Sequence, residues 1–255
     1  MSTRVPTDEA IILAGGLGTR LQGVIGERPK PMAPIAGRPF LEWQLDALGR
    51  RGIRHVVLSV GFRREVIEAH FGSRYGDIAI DYARETEPLG TGGAIAAAMR
   101  LVRGEAAFVL NGDTFIRAPL RALDDVEGCR LCMLVARVDE ASRFGTVAVE
   151  AGRVRAFLEK GRSGPGLVNG GVYRIDRTLL AEAGLPEKFS FERDFVERAI
   201  GRLPVGAVVT DEPFVDIGVP ESLAMADAEI PRLAAADRVP GGEALSPAPA
   251  ARRPG

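Results

Sequence analysis

Short apolar segments alternate with amphipathic segments along the first half of the chain. Residues 10–14 form an apolar run without helical periodicity, which is typical of a buried strand in a parallel sheet. Residues 55–60 and 107–110 predict further strands, whereas residues 40–48 and 63–71 carry apolar side chains at helical spacing. This alternation predicts an α/β fold.

The pattern changes after residue 128. Short strands joined by polar turns predict antiparallel structure built onto the first half, over residues 130–138, 145–150, 153–159 and 168–175. A helix capped by Ser190 and a last helix from Pro220 to about residue 230 complete the pattern. Glu192 and Asp194 lie in the first turns of the Ser190 helix, where the helix dipole accounts for acidic residues, so we assign them to no site.

These elements predict one domain over residues 9–233, with a first half at about 9–128 and a second half at about 129–233. Residues 1–8 form a short lead. Residues 234–255 are rich in Ala, Pro and Gly without apolar periodicity, and we expect a disordered tail there.

Charge and hydropathy exclude several function classes. The 255 residues include 33 basic and 34 acidic ones, so no overall positive field favours nucleic acid or an anionic membrane. No apolar run approaches the roughly 20 residues that span a bilayer, and the first eight residues lack the apolar core of a signal peptide, which favours a cytoplasmic location.

Cys129 and Cys132 have no further Cys or His nearby; we expect two reduced core thiols on opposite faces of a strand rather than a zinc site.

A glycine-rich loop follows the first strand. Gly15, Gly16 and Gly18 lack a Cβ, so their backbone N–H groups can approach a phosphate chain, and Arg20 and Lys30 add positive charge. The loop lacks the Gly-Lys-Ser/Thr ending of a Walker loop and the third glycine of a dinucleotide fingerprint. We therefore expect a phosphate-binding loop of another kind.

Two other positions suggest a site at the same sheet edge. Asp113 follows the strand at residues 107–110, and open α/β sheets bind ligands at the carboxyl ends of their strands. Gly90 and Thr91 precede a predicted helix at residues 92–102, with Thr91 as its N-cap. A helix start beside an exposed loop suits an anion or a polar base edge.

The longest motif resembles the signature of the sugar-1-phosphate nucleotidyltransferases. L-A-G-G-x-G-T-R-L corresponds to residues 13–21 and K-P-M-x-P-I to residues 30–35. The resemblance implies a Rossmann-like, three-layer α/β/α fold, GT-A-like, with a mixed, mainly parallel central sheet and an antiparallel sugar-binding extension. It also implies transfer of a nucleotidyl group from an NTP to a sugar 1-phosphate, with Mg²⁺ as cofactor and with neither nucleic acid nor membrane as partner.

The resemblance implies which residues of this chain form the site. The nucleotide would contact Leu13, Ala14, Gly15, Gly16, Gly18, Thr19, Arg20, Lys30, Gly90, Thr91 and Gly112. The sugar phosphate would contact Gly145, Glu159, Lys160 and Asn169. Asp113 and Asp216 would bind Mg²⁺, and the catalytic residues would be Arg20, Lys30, Asp113, Lys160 and Asp216.

Within that family the chain looks most like the D-glycero-D-manno-heptose 1-phosphate guanylyltransferases, over nearly all of residues 9–230, which implies GTP and the heptose phosphate as substrates. Gln22 departs from the pattern, since many relatives have proline there. A mannose-1-phosphate guanylyltransferase, a uridylyltransferase for another sugar phosphate, and a non-catalytic sugar-nucleotide sensor stay open as alternatives. A dinucleotide-binding oxidoreductase is disfavoured because Leu21 replaces the third glycine.

Overall fold

A computed structural model describes residues 6–16, 18–142, 145–158 and 163–236, apart from the side chains of Thr19 and Gln22. The strands are β1 (Glu9–Leu13), β2 (Pro34–Ile35), β3 (Arg38–Pro39), β4 (His55–Val60), β5 (Arg74–Tyr75), β6 (Ile78–Arg84), β7 (Ala106–Asn111), β8 (Thr114–Ile116), β9 (Leu131–Val138), β10 (Thr146–Glu150), β11 (Arg153–Leu158), β12 (Gly166–Asp176), β13 (Val205–Thr210) and β14 (Phe214–Asp216).

The helices are mostly short. They are α1 (Gln22–Ile25), α2 (Phe40–Arg50), α3 (Arg64–Phe71), α4 (Gly90–Met99), α5 (Leu120–Asp124), α6 (Leu179–Glu182), α7 (Glu197–Ala199) and α8 (Pro220–Ala236). Single 3₁₀ turns lie at Thr19–Leu21 and Lys30–Met32, and a π-helical segment, Phe191–Val196, precedes α7. No helix in these ranges is long and apolar enough to cross a membrane.

Ten strands form one mixed sheet in the order β10-β11-β13-β9-β12-β7-β1-β4-β6-β5. Strands β7, β1, β4 and β6 are parallel to one another. Strand β12 joins this parallel part to the second half, because it runs antiparallel to both β7 and β9. Leu13 is in register with Ser59 of β4 and Asn111 of β7, so three strand ends meet at one edge.

The expected mixed sheet is present, but the expectation that it is mainly parallel was wrong. Among the described strands, four neighbouring pairs are parallel and five are antiparallel. The antiparallel pairs concentrate in the second half. A short turn suffices to join antiparallel strands, as between β10 and β11, whereas a parallel pair needs a long crossover.

Apolar side chains alternate between the two faces of the sheet. Ile12 belongs to a buried cluster with Leu45 of α2 and Ile67 of α3. Its neighbour Ile11 belongs to a second cluster with Ile95 of α4. Because successive strand residues point to opposite faces, helices cover both sides of the sheet.

Helix α8 extends to Ala236, six residues past the expected end near Ile230. Pro231 lies inside it, although proline removes one helical hydrogen bond. Leu233 and Ala234 are buried in a third apolar cluster, which also contains Phe115 of β8, and this burial offsets the lost bond. The first residues of the expected tail are therefore helical, and residues 237–255 lie outside the described part.

The two thiols differ from expectation in orientation. Strand β9 begins at Leu131, so Cys129 precedes it, and both sulfur atoms lie against Gly206 of β13. A Cβ at Gly206 would lie 2.9 Å from the Cys132 sulfur and 3.4 Å from the Cys129 sulfur. Both thiols are buried and not disulfide-bonded, as expected, but they do not face opposite sides.

Candidate active site

A large cavity lies at the sheet edge where β1, β4 and β7 end. Its volume is about 890 Å³, near the upper end of the range of roughly 300–1,000 Å³ that is usual for ligand pockets. Nine of the residues predicted from the sequence line it: Leu13, Gly15, Gly16, Arg20, Lys30, Gly90, Thr91, Gly112 and Asp113. The structure therefore brings together most of the predicted nucleotide site.

Three glycines that line the cavity have different roles. A Cβ at Gly15 would lie 2.6 Å from a carboxylate oxygen of Glu85, and one at Gly112 would lie 2.1 Å from the carbonyl oxygen of Leu13. Both positions exclude a side chain because the protein itself packs there. A Cβ at Gly16 would meet nothing within 4 Å, so this glycine faces open space and leaves its backbone accessible to a ligand.

Lys30 and Asp113 form the central charge pair. The Lys30 ammonium lies 2.7 Å from Oδ2 of Asp113, and the two side chains are 12% and 36% exposed. The other carboxylate oxygen, Oδ1, accepts a hydrogen bond from the Thr114 hydroxyl at 3.2 Å. Arg20 lines the same cavity, is exposed and has no ion-pair partner among the described residues, which leaves its guanidinium available for an anion.

Asp216 reaches the Asp113 turn through strand pairing. β14 runs antiparallel to β8, with Asp216 opposite Thr114. The backbone N–H of Ile217 donates to the carbonyl of Asp113 at 2.9 Å, and Oδ1 of Asp216 accepts from the N–H of Gly218. Two segments far apart in sequence, the Asp113 turn and the strand that carries Asp216, are therefore joined by backbone pairing.

The two carboxylates fit a divalent ion. The described residues contain no group of three or more His, Cys, Asp or Glu side chains that could hold a metal by themselves. Mg²⁺, however, is usually held by one or two carboxylates together with substrate phosphates and water. The carboxylates of Asp113 and Asp216 have the chemistry that such a site needs; Asp113 lines the cavity, whereas Asp216 is not among the described residues that line it.

A second part of the cavity lining, here called the far wall, consists of Tyr173, Phe191 and Glu192. The sequence analysis did not assign Glu192 to the site. Glu192, in the π-helical segment, accepts hydrogen bonds from the Asn169 amide at 2.5 Å and from the Tyr173 hydroxyl at 3.0 Å. Burial, together with the charge of Glu192, raises the pKa of Tyr173 well above its usual value, so this phenol stays protonated. Glu192 and Tyr173 both line the cavity.

Asp194, by contrast, has the structural role expected of it. Its carboxylate accepts from the backbone N–H of Ser190 at 2.7 Å, and the Ser190 hydroxyl accepts from the N–H of Arg193 at 3.4 Å. This is a reciprocal cap at a helix start. Sequence spacing alone does not distinguish Glu192 from Asp194, because the direction of each side chain depends on the π-helical geometry.

The start of α4 forms the side of the cavity. The helix begins at Gly90 and not at residue 92, and Thr91 is inside it, so the expectation that Thr91 is the N-cap was wrong. Its hydroxyl instead accepts from the N–H of Phe191 at 2.9 Å. Gly90, with φ +71°, packs so closely on Phe189 that a Cβ would lie 2.5 Å from its carbonyl oxygen. The missing side chain lets α4 dock on this segment.

Glu85 is a second acidic residue that sequence reasoning missed. It follows β6, lines the cavity, and accepts hydrogen bonds from the Leu89 backbone N–H at 3.1 Å and the Ser59 hydroxyl at 3.2 Å. These bonds hold its carboxylate against Gly15. The only sequence signal was an acidic residue at the end of a strand of the parallel part of the sheet.

Some predicted residues are not placed by the structure. Glu159 and Lys160 lie outside the described residues, as does the side chain of Thr19. Gly145 directly precedes β10 and is not among the described residues that line the cavity. Ala14, Gly18, Asn169 and Asp216 are likewise not among the described residues that line the cavity.

Comparison with known proteins places this site in a family. Residues 9–232 match the family described as Nucleotidyl transferase. The chain belongs to this family. It is 43% identical over 225 residues to "D-glycero-alpha-D-manno-heptose 1-phosphate guanylyltransferase" of Aneurinibacillus thermoaerophilus, over 87% of this chain and 98% of the relative. A protein of the same name from Campylobacter jejuni is 44% identical, over 84% of this chain and 96% of that protein.

A solved structure supports the same assignment. The crystal structure of HddC from Yersinia pseudotuberculosis superimposes with a TM-score of 0.78 at 33% identity, over 87% of this chain and 98% of HddC. HddC complexed with GMP-PN gives a TM-score of 0.77 at 34% identity, again over 87% and 98% of the two chains. The nucleotidyl transferase fold therefore extends over nearly the whole described chain.

Proposed function

We propose that this nucleotidyl transferase moves the guanylyl group of GTP to D-glycero-α-D-manno-heptose 1-phosphate, giving GDP-heptose and pyrophosphate for the synthesis of surface glycans. Two relatives that bear the corresponding enzyme name support the substrates, since this chain covers nearly their full length. The complex of HddC with a guanine nucleotide supports the choice of base.

In this reaction an oxygen of the sugar phosphate attacks the α-phosphorus of GTP. A new O–P bond forms, the bond between the α-phosphorus and its bridging oxygen breaks, and pyrophosphate leaves with the electron pair. The attacking oxygen is already an anion near neutral pH, so no general base is required. The main task of the protein is to bring anionic phosphates together, by positioning and by neutralising their charge.

The cavity provides that charge. We assign Lys30, which lies beside the glycine loop, to the α-phosphate, and Arg20, which also lines the cavity, to the departing pyrophosphate. Family members generally use a divalent metal ion; we propose Mg²⁺, held by Asp113 and Asp216, which would supply Lewis-acid stabilisation of phosphate charge. We keep Lys160 as the proposed contact of the sugar phosphate and Glu159 as a contact of the sugar.

The far wall suits a polyhydroxylated ligand. Tyr173 and Glu192 line the cavity there and are hydrogen-bonded to Asn169 behind them in a connected set of donors and acceptors, and sugar hydroxyls can both donate to and accept from such groups. The part of the cavity wall at Glu85 suits guanine. The base edge of guanine presents N–H groups that can donate to a carboxylate, and two hydrogen bonds hold the Glu85 carboxylate in place.

We also propose the finer description of the fold, a Rossmann-like three-layer α/β/α arrangement of the GT-A-like kind. The two apolar clusters on opposite faces of the sheet support the three layers.

The observation that carries the proposal is the Lys30–Asp113 pair beside an open glycine loop in a cavity of nucleotide size. The test is pyrophosphate release by the purified protein with Mg²⁺, with four NTPs crossed against heptose, mannose, glucose and N-acetylglucosamine 1-phosphates. We expect a strong signal for GTP with the heptose phosphate, and a loss of at least about 100-fold in kcat for Asp113→Asn.

Asp125→Asn is the matched control, since Asp125 is exposed and outside the cavity. It should keep full activity, and both variants should keep the wild-type melting temperature within a few degrees. A signal with GTP and mannose 1-phosphate would keep the mechanism and replace the sugar. Near-normal turnover by Asp113→Asn would contradict the metal assignment, and no turnover with any pair would favour a non-catalytic sensor.

A further inference from the structure

Gln44 is a buried polar residue on α2 that no predicted site includes. Its side chain is only 2% exposed. Its Nε2 donates two hydrogen bonds, to the carbonyl oxygen of Asn111 at 2.8 Å and to that of Thr114 at 2.9 Å. These carbonyls lie on either side of Gly112 and Asp113, so one amide group spans the turn that carries the proposed metal ligand.

The orientation of the amide is fixed by these bonds. Rotating it by half a turn would aim Oε1 at two carbonyl oxygens, which repel it. As placed, Oε1 is buried without a hydrogen-bond partner among the described residues. A buried acceptor without a partner costs free energy, and an apolar side chain of the same length would fit the surrounding Leu48, Leu110 and Phe115 without that cost. The benefit of glutamine at this position therefore lies in its two donors.

The turn is restrained from two other directions. Gly112 packs against the carbonyl oxygen of Leu13, at the start of the glycine loop. The N–H of Ile217 donates to the carbonyl of Asp113, which joins the turn to the strand that carries Asp216. A shift of the turn would therefore also disturb its pairing with the strand that carries Asp216.

We propose that Gln44 is a positioning residue for catalysis: by bonding both sides of the Asp113 turn, it fixes the backbone that carries Asp113 in the cavity and so orients this proposed metal ligand. This inference rests on the proposed function. Gln44 itself does not line the cavity, so its effect passes through the backbone of the turn.

The test replaces the donors without changing the size of the side chain. Partners that orient metal ligands are worth about 10- to 100-fold in metal affinity or activity. We expect Gln44→Met to lower kcat by about that factor and to weaken Mn²⁺ binding in the presence of GTP by about 10-fold, measured from the free Mn²⁺ signal in electron paramagnetic resonance. The KM for the sugar phosphate should change little, because the far wall is untouched.

Trp43→Phe is the matched control. Trp43 neighbours Gln44 on α2 and also donates from its side chain to a backbone carbonyl, that of Ile35 at 3.1 Å, but this carbonyl is outside the Asp113 turn. The control should keep wild-type Mn²⁺ affinity and kcat. Gln44→His, whose neutral ring can donate one hydrogen bond, should recover part of the activity lost in Gln44→Met.

Unchanged kcat and Mn²⁺ affinity in Gln44→Met, or an equal loss in Trp43→Phe, would overturn the proposal. Should Gln44→Met fail to fold, the comparison of wild type with Gln44→His decides, since full activity in that variant excludes the need for two donors. A wild-type protein that turns over no substrate pair would contradict the proposed function, while the Mn²⁺ measurement would still test the role of Gln44.

Discussion

The Lys30–Asp113 pair predicts opposite effects of one substitution on metal binding and on catalysis. In the free protein the Lys30 ammonium lies 2.7 Å from the carboxylate that we assign to the metal. It therefore holds a positive charge next to the position of the ion. Lys30→Met removes that charge and keeps the length of the side chain. We expect the variant to bind a divalent ion more tightly than the wild type and to turn over far more slowly.

The magnitude follows from the geometry. A carboxylate in contact with both groups would hold the ammonium and the ion about 4 Å apart, and there a single and a double charge repel by about 2 kcal/mol even in bulk water. Lys30 is only 12% exposed, so the surroundings screen this repulsion less than water does. Removing it corresponds to at least about 30-fold tighter binding. Loss of a donor that stabilises developing charge should lower kcat by about 10²- to 10³-fold.

The assay is Mn²⁺ binding to the protein without nucleotide, followed by electron paramagnetic resonance, beside steady-state turnover with Mg²⁺. Lys188→Met is the control, because Lys188 is exposed and does not line the cavity; it should change neither quantity. A Lys30→Met variant that binds Mn²⁺ more weakly than the wild type would refute the reasoning, since it would mean that Lys30 supports the ion and does not compete with it.

Two further predictions concern Glu192 and Glu9. Glu192→Gln keeps the shape of the far wall of the cavity but removes its negative charge. We expect the KM for the sugar phosphate to rise by about 10-fold, which corresponds to the loss of one strong hydrogen bond, while the KM for GTP stays unchanged. Equal changes in both KM values would contradict a role in sugar binding. Burial alone would raise the pKa of Glu9, but hydrogen bonds from the N–H of Gly104 and from His55 outweigh it and lower that pKa. The Glu9 carboxylate therefore stabilises the fold at neutral pH, and this contribution is lost as the pH falls through the depressed pKa. Glu9→Gln should lower the free energy of unfolding by roughly 1–3 kcal/mol at pH 7 and by less in acid. Chemical denaturation of both proteins at several pH values measures this, and a difference in unfolding free energy that does not change with pH would contradict it.

The sequence predicted the parts of the site that follow directly from strand ends. Asp113 and the glycine loop each follow an apolar run, and parallel strands place their carboxyl ends at one edge. Asp216 is different. It follows no strand of the main sheet, and only the resemblance to a family suggested it, because its position depends on the pairing of β14 with β8. Such long-range pairing leaves no local pattern in the sequence.

Glu192 and Gln44 show a second limit. Each lies on a helix whose amphipathic pattern was predicted, yet neither was assigned a role. For Glu192 the helix dipole was a sufficient local explanation, and only its bonds to Asn169 and Tyr173 place it in the cavity. For Gln44 the partners are backbone carbonyls about 70 residues away along the chain. A sequence states which groups a side chain carries but not which distant carbonyl it meets.

Several polar groups around the cavity already bond to one another within the protein, and this has consequences for how substrates bind. Lys30 bonds to Asp113, Asn169 to Glu192, and Thr91 to the N–H of Phe191. Ligands must therefore exchange these partners and do not simply add contacts, so each new bond contributes only the difference between two hydrogen bonds. The exchange at Lys30 also couples two ligands. An ion that arrives alone meets the ammonium, whereas a nucleotide that arrives with the ion offers phosphate oxygens to which Lys30 can turn. Metal and nucleotide should each raise the affinity for the other, as thermodynamic linkage requires, and the cavity should favour the metal–nucleotide complex over either part.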